Sequence, residues 1–204
     1  YKGKNMPLVT PKDASVLPED LQSKIQFFKG PLGVVPNSIL TMAYHPAITE
    51  AFTALNVAVM ECHGEVSGEL KRLIGYMTSA TSGCKYCQAH TALGSQRFGV
   101  TDERFSEIWN FRDSDKFSEA EKSAFEFAIA ASSVPNAVDE AISEQLHKHW
   151  SDEDIVVITG VIALFGYLNR WNDSMGTTLE DLPVETGKQL LSQHGWDTGK
   201  HGKQ

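Results

Sequence analysis

The chain has 204 residues, 41% hydrophobic and 22% charged, with a formal net charge of -8 at pH 7. That length and apolar content suit one sizeable core, and nothing in the composition demands a second domain. The acidic balance, with 18 Lys and Arg residues that form no basic block, excludes a phosphate-binding nucleic-acid surface and a basic membrane anchor.

In chain order, the apolar period is helical almost throughout. Leu17, Leu21, Ile25 and Phe28 form a first short stripe, with the three- and four-residue spacing of one helix face. Pro31, Gly33 and Pro36 then break the chain, and Asn37 and Ser38 are expected to cap a helix carrying Ile39, Leu40 and Met42. Pro46 opens the next helix. A longer stripe, Val66, Leu70, Leu73, Ile74 and Met77, ends at Thr81-Ser82-Gly83. There Ser82 or a neighbour is expected to cap a new helix with Cys84 in its first turn, running toward Phe98.

Arg112-Asp113-Ser114-Asp115 reads as a loop. Ser118 with Glu121 three residues on is a capping box, opening a helix with Ala120, Ala124, Phe127, Ala128 and Ala131 on one face. Val138, Ile142 and Leu146 precede Trp150, and Ser151 with Asp154 is a weaker capping pair. The apolar run from Ile155 to Leu168 is too short to span a bilayer and is expected as a buried helix. Period-2 alternation is nearly absent. The expected architecture is all-α, one helical domain over 1–204 with a short N-terminal extension and a tail that frays from Gly195 onward.

The chemistry concentrates in Cys84-Lys85-Tyr86-Cys87-Gln88-Ala89-His90. Thiols three residues apart are close enough to close a disulfide, and a helix N-terminus or a nearby cation such as Lys85 draws a thiol toward its reactive thiolate. At helical pitch Cys84, Cys87 and His90 spread over roughly 120° of surface, sharing a face loosely. Redox work is weighed against two alternatives: a pair of core cysteines with a satisfied histidine, and a metal site of two thiolates and His90. No second Cys-x-x-Cys or His-x-x-x-His completes such a site, so no metal is assigned. Cys62, beside His63, reads as a core cysteine. Three cysteines are too few for a disulfide scaffold and suit a reducing, cytoplasmic setting.

Cys84-x-x-Cys87 followed by His90, between two helical stripes, resembles the redox motif of the AhpD-like alkylhydroperoxidases of the carboxymuconolactone decarboxylase superfamily. The segment from Gly33 to Ser38 leading to Met42 and Pro46, and Leu168-Asn169-Arg170-Trp171-Asn172-Asp173, are similar to flanking signatures of its peroxidase-related members. Together these cover about residues 30–182. The resemblance implies an all-helical homo-oligomer, trimer or hexamer, that reduces hydroperoxides without a cofactor beyond a redox-active disulfide. By position, Cys87 is the peroxidatic thiolate, Cys84 the resolving thiol and His90 the proton relay. The implied partner is a dithiol protein, lipoyl-bearing or thioredoxin-like, that regenerates the pair.

Two positions depart from the family pattern. The motif's usual histidine position, four residues after the second Cys, holds Thr91, and its usual glutamate position, twelve residues before the first Cys, holds Arg72. Glu69, Glu65, Arg72 and Tyr86 are therefore the auxiliary candidates, with Arg72 acting electrostatically on a thiolate. Lactone decarboxylation ranks second, because the decarboxylases dispense with the cysteine pair. A non-enzymatic oligomer, redox-sensing or metal-stabilised, is the reading from a different class.

Overall fold

The structure, a computed structural model, describes residues 7–61 and 64–203. Cys62 and His63, read above as a core cysteine and its neighbour, lie outside the described residues. Eleven α-helices occur among the described residues, and no strand does. They are α1 (Glu19–Gln26), α2 (Lys29–Leu32), α3 (Asn37–Met42), α4 (Pro46–Met60), α5 (Gly68–Thr81), α6 (Lys85–Arg97), α7 (Asp102–Ser106), α8 (Glu119–Ser132), α9 (Glu140–His149), α10 (Asp152–Met175) and α11 (Asp181–Leu190).

The stripes become packing faces. Leu17, Leu21, Ile25 and Phe28 are all buried, as are Leu70, Leu73, Ile74 and Met77 on α5. Ser118 and Glu121 form the expected capping box at the start of α8, and Ser151 with Asp154 forms a second, complete one at the start of α10. Reciprocal side-chain bonds of this kind satisfy backbone donors that a helix start leaves open.

α6 is the helix the others enclose, packed against α5, α10 and α11. Tyr86, Cys87 and every residue from Ala89 to Ser95 are buried. A helix covered on all sides has no amphipathic stripe, which is why its hydrophobic pattern is weak and its chemistry-bearing residues stand out instead. α5 and α10 approach closely where α5 carries Gly75: a Cβ there would sit 2.4 Å from the Phe165 ring. Any side chain at Gly75 would push Phe165, and with it α10, off the core.

Three expectations require correction. Asn37 does not cap α3; the N-cap is Pro36, and Asn37 Nδ2 instead donates to the Thr178 carbonyl at 2.9 Å. The helix expected over 155–168 runs from Asp152 to Met175, 24 residues, long and apolar enough by composition to cross a membrane. Ile158, Val161, Leu164, Phe165, Asn169 and Asn172 nevertheless pack inward, while Val156, Ala163, Gly166 and Arg170 face out, so it is a core helix on one face only. Finally, the tail beyond Gly195 does not fray. Trp196 packs onto Gly187 of α11 and donates from Nε1 to the Lys85 carbonyl at 3.2 Å, and His201 is buried with its Nδ1 2.8 Å from the Thr177 carbonyl. Its three glycines suggested looseness, but two aromatic side chains anchor it.

Candidate active site

The turn between α5 and α6 sets the first sulfur. Gly83 takes φ +73°, a left-handed conformation open to glycine at little cost, and brings Cys84 to the start of α6. Cys84 lies at the N-cap, one residue earlier than expected, and its Sγ accepts from the Cys87 backbone N–H at 3.5 Å. Ser82, expected to cap this helix, ends α5 instead. A sulfur thus occupies the position that an Asp or Ser oxygen ordinarily fills, facing the positive end of the helix dipole.

The two thiols differ although one turn separates them. Both are free and buried. The hydrogen bond from the Cys87 thiol holds the Cys84 thiol below its ordinary value, against burial that opposes it, and the Cys87 backbone N–H adds to the effect. Burial pushes the Cys87 thiol well above its ordinary value, and its donation to Cys84 adds to that; the Asn172 amide, Nδ2 3.5 Å from Sγ, pulls the other way. The surroundings of Cys84 therefore favour its charged form, and those of Cys87 favour the protonated one. Lys85, expected to assist the thiolate, is turned to Asp197 of the tail at 2.6 Å.

Cys87 is the sulfur that faces open space. A cavity of about 80 Å³ is lined by Cys87 and His90 of α6, Arg72 of α5, Asn172 and Phe165 of α10, and apolar groups from Phe28, Ile39, Phe52 and Met60. Cys84 is absent from this lining.

His90 meets a carboxylate that no spacing argument locates. Its Nε2 lies 2.7 Å from Glu180 Oε2, and Glu180 is the N-cap residue of α11. Glu180 Oε1 also accepts from the Tyr86 hydroxyl at 2.9 Å and from the Asn37 N–H, and the Ser38 N–H donates to the Tyr86 oxygen at 3.2 Å. The Tyr86 and His90 rings stack at 4.5 Å. Burial alone would raise Glu180, but the His90 charge and hydrogen bond, with the Asn37 N–H, outweigh it and hold the carboxyl below its ordinary value. Burial, then the Glu180 charge, push Tyr86 well above the usual phenol value, so it remains a donor.

Of the sequence candidates, the structure thus brings together Cys84, Cys87, His90 and Tyr86, with Arg72 on the cavity wall. Glu69 stands apart, paired with Arg104, and Glu65 is exposed. Glu180, Ser38 and the Asn172 contact to sulfur were not located from sequence. The one signal for Glu180 is its place just ahead of the helix that begins Asp181-Leu182-Pro183, which marks an N-cap but nothing about its partner.

The carboxymuconolactone decarboxylase family model matches residues 46–130. The uncharacterized protein YnjA of Escherichia coli (strain K12) is 30% identical over 103 residues, 50% of this chain and 53% of that protein, so the match spans about half the length of this curated relative. The debrominase Bmp8 in its apo form is 33% identical with a TM-score of 0.84, covering 90% of this chain and 97% of Bmp8. Its cysteine-to-alanine variant in complex with 2,3,4-tribromopyrrole superposes with a TM-score of 0.86 at 31% identity, covering 92% of this chain and 100% of that one. An alkylhydroperoxidase AhpD core structure, a peroxidase-related protein from Ralstonia eutropha JMP134, gives a TM-score of 0.76 at 26% identity, over 87% of this chain and 94% of its own.

Proposed function

Because the chain belongs to the superfamily of AhpD-like and carboxymuconolactone decarboxylase proteins, we propose that it is a thiol-dependent reductase that reduces hydroperoxides with the Cys84–Cys87 pair. The observation that carries this reading is the division of labour between the sulfurs: Cys87 lines the cavity, and Cys84, outside that lining, accepts hydrogen bonds from Cys87 that favour its charged form.

In the proposed cycle Cys87 passes its proton to Cys84 and attacks the terminal oxygen of the hydroperoxide. The O–O bond breaks, Cys87 becomes a sulfenic acid, and the departing alkoxide takes a proton from His90, which Glu180 orients, and leaves as alcohol. Cys84 then gives up its proton and attacks the Cys87 sulfur, closing the disulfide as the sulfenic oxygen leaves as water. Two thiols and one hydroperoxide thus yield a disulfide, an alcohol and water. An external dithiol protein, lipoyl-bearing or thioredoxin-like, restores the pair by exchange, and the family's homo-oligomeric assembly is proposed with it.

A second reading has a specific observation in its favour, the likeness to the debrominase over nine-tenths of this chain. In it the same two thiols remove bromine from an aromatic ring: Cys87 takes the halogen as the ring carbon takes a proton, and Cys84 attacks the sulfenyl bromide to give disulfide and bromide. The decarboxylase reading is third, since it gives the cysteine pair no work. The test is turnover with dihydrolipoamide as reductant, following loss of cumene hydroperoxide and release of bromide from a brominated pyrrole. Hydroperoxide loss at saturating dithiol is the expected result. Bromide release alone selects the second reading, and neither activity sinks both.

A further inference from the structure

The cavity wall carries at Arg72 a charge that the proposed cycle does not use. Arg72 is only 8% exposed, yet among the described residues its Nη1 has no hydrogen-bond partner. A buried guanidinium nitrogen left unpaired costs free energy, so an unpaired donor at a cavity wall points to something that enters. Its surroundings position the guanidinium and leave Nη1 without a partner among the described residues. The Phe98 ring covers one face, 3.9 Å from Cζ, and Glu61 acts only through space, with no hydrogen bond. The stem packs along α6 at Gly94, where a Cβ would lie 3.5 Å from Arg72 Cδ, an ordinary van der Waals contact. Apolar groups from Phe28, Phe52, Phe165 and Met60 make up much of the rest of the wall, with Asn56, His90 and Asn172 among its polar members.

We propose that Arg72 binds the anionic head of the substrate, which is a singly charged organic acid with an apolar body lying between Arg72 and Cys87. The proposal rests on the thiol-reductase reading for what happens at Cys87, but not for the anion site. The geometry also sets a length. Cys87 and Gly94 are seven residues apart on α6, about 10 Å of helix rise, so the carboxylate or ionised hydroxyl sits roughly two turns from the reactive sulfur. A planar guanidinium suits a carboxylate, which it grips with two parallel hydrogen bonds, better than a phenolate.

The test does not depend on turnover. Calorimetric titration of the reduced protein at pH 7 compares 4-tert-butylbenzoate with its neutral amide, which has the same shape. The acid is expected to bind at least tenfold more tightly, with the preference falling to near one in Arg72→Gln and partly retained in Arg72→Lys. Equal affinities in the unaltered protein, a preference for the amide, or no saturable binding of either would overturn the proposal, whether or not the variants fold. A second arm compares a fatty acid hydroperoxide with its methyl ester and with cumene hydroperoxide. If the acid binds but no hydroperoxide is consumed, the anion site stands and the peroxidase reading falls. If cumene hydroperoxide is reduced but acid and ester are treated alike in binding and turnover, the reverse holds.

Discussion

Cys84 and Cys87 lie one helical turn apart, yet they occupy opposite kinds of surroundings. Cys84 sits at a helix N-terminus and receives both the N–H and the thiol of Cys87, so its environment favours charge. Cys87 sits one turn inside, buried against an apolar cavity, with one amide contact from Asn172, so its environment favours a neutral sulfur. Spacing alone makes two cysteines equivalent; position relative to the helix end makes them different. The sulfur whose surroundings favour charge lies outside the cavity lining, and the sulfur in the lining is the one whose surroundings favour the proton.

The largest effect expected from this contrast comes from exchanging the sulfurs one at a time. Cys87→Ser should lower steady-state turnover by more than about 10³-fold, because among the described residues no other thiol lines the cavity. Cys84→Ser should retain one rapid turnover and then stop, as stopped-flow oxidation followed by thiol counting would show. Equal residual turnover in both variants would break the contrast.

The proton pathway comes next. Glu180 acts through His90 as a positioning residue, and Glu180→Gln should cost about 10²-fold in kcat with an altered acid limb in the pH profile of kcat/KM. A merely structural role would lower the profile at every pH without changing its shape.

A smaller change is expected at Asn172. Its amide offsets part of the burial cost of a Cys87 thiolate, so Asn172→Ala should raise the Cys87 pKa further. Losing a single hydrogen bond of this kind costs roughly 3–10-fold in rate at pH 7, and the deficit should hold through pH 9, because burial keeps the Cys87 thiol well above its ordinary value with or without the amide. A rate of Cys87 alkylation at pH 7 left unchanged by Asn172→Ala would separate Asn172 from the sulfur.

The smallest effect is on stability. The carboxyl of Glu180 is held below its ordinary value in the fold, so its contribution is present above the unfolded carboxylate pKa and is lost as pH falls through the folded one. The Tm gap between the unaltered protein and Glu180→Gln should therefore be on the order of 2–4 °C at pH 7 and close toward pH 3. A gap that widens on acidification would contradict the charge state assigned to Glu180.

The same comparison explains what was legible in the sequence. The pair and His90 are local, seven residues on one helix, so their spacing announced them. The helices around them announced themselves through stripes such as Leu70, Leu73, Ile74 and Met77. Which sulfur's surroundings favour charge was not legible, because Cys is not a residue expected at an N-cap and Ser82 competed for that place. Glu180 was not legible either: it reaches His90 across 90 residues of chain, and only the packing of α11 on α6 brings them together. Arg72 stood out in sequence as a departure from the family motif, but its unpaired Nη1 is a property of the folded cavity. The tail was misread because glycine content says nothing of where Trp196 and His201 pack.

The most direct measurement is the site of sulfenic acid formation. Each single variant would be given one equivalent of cumene hydroperoxide in the presence of dimedone, and the adduct located by mass spectrometry. A dimedone adduct on Cys87 in Cys84→Ser, with none on Cys84 in Cys87→Ser, is the predicted result. An adduct on Cys84 in Cys87→Ser, with Cys87 unmodified in Cys84→Ser, would contradict it.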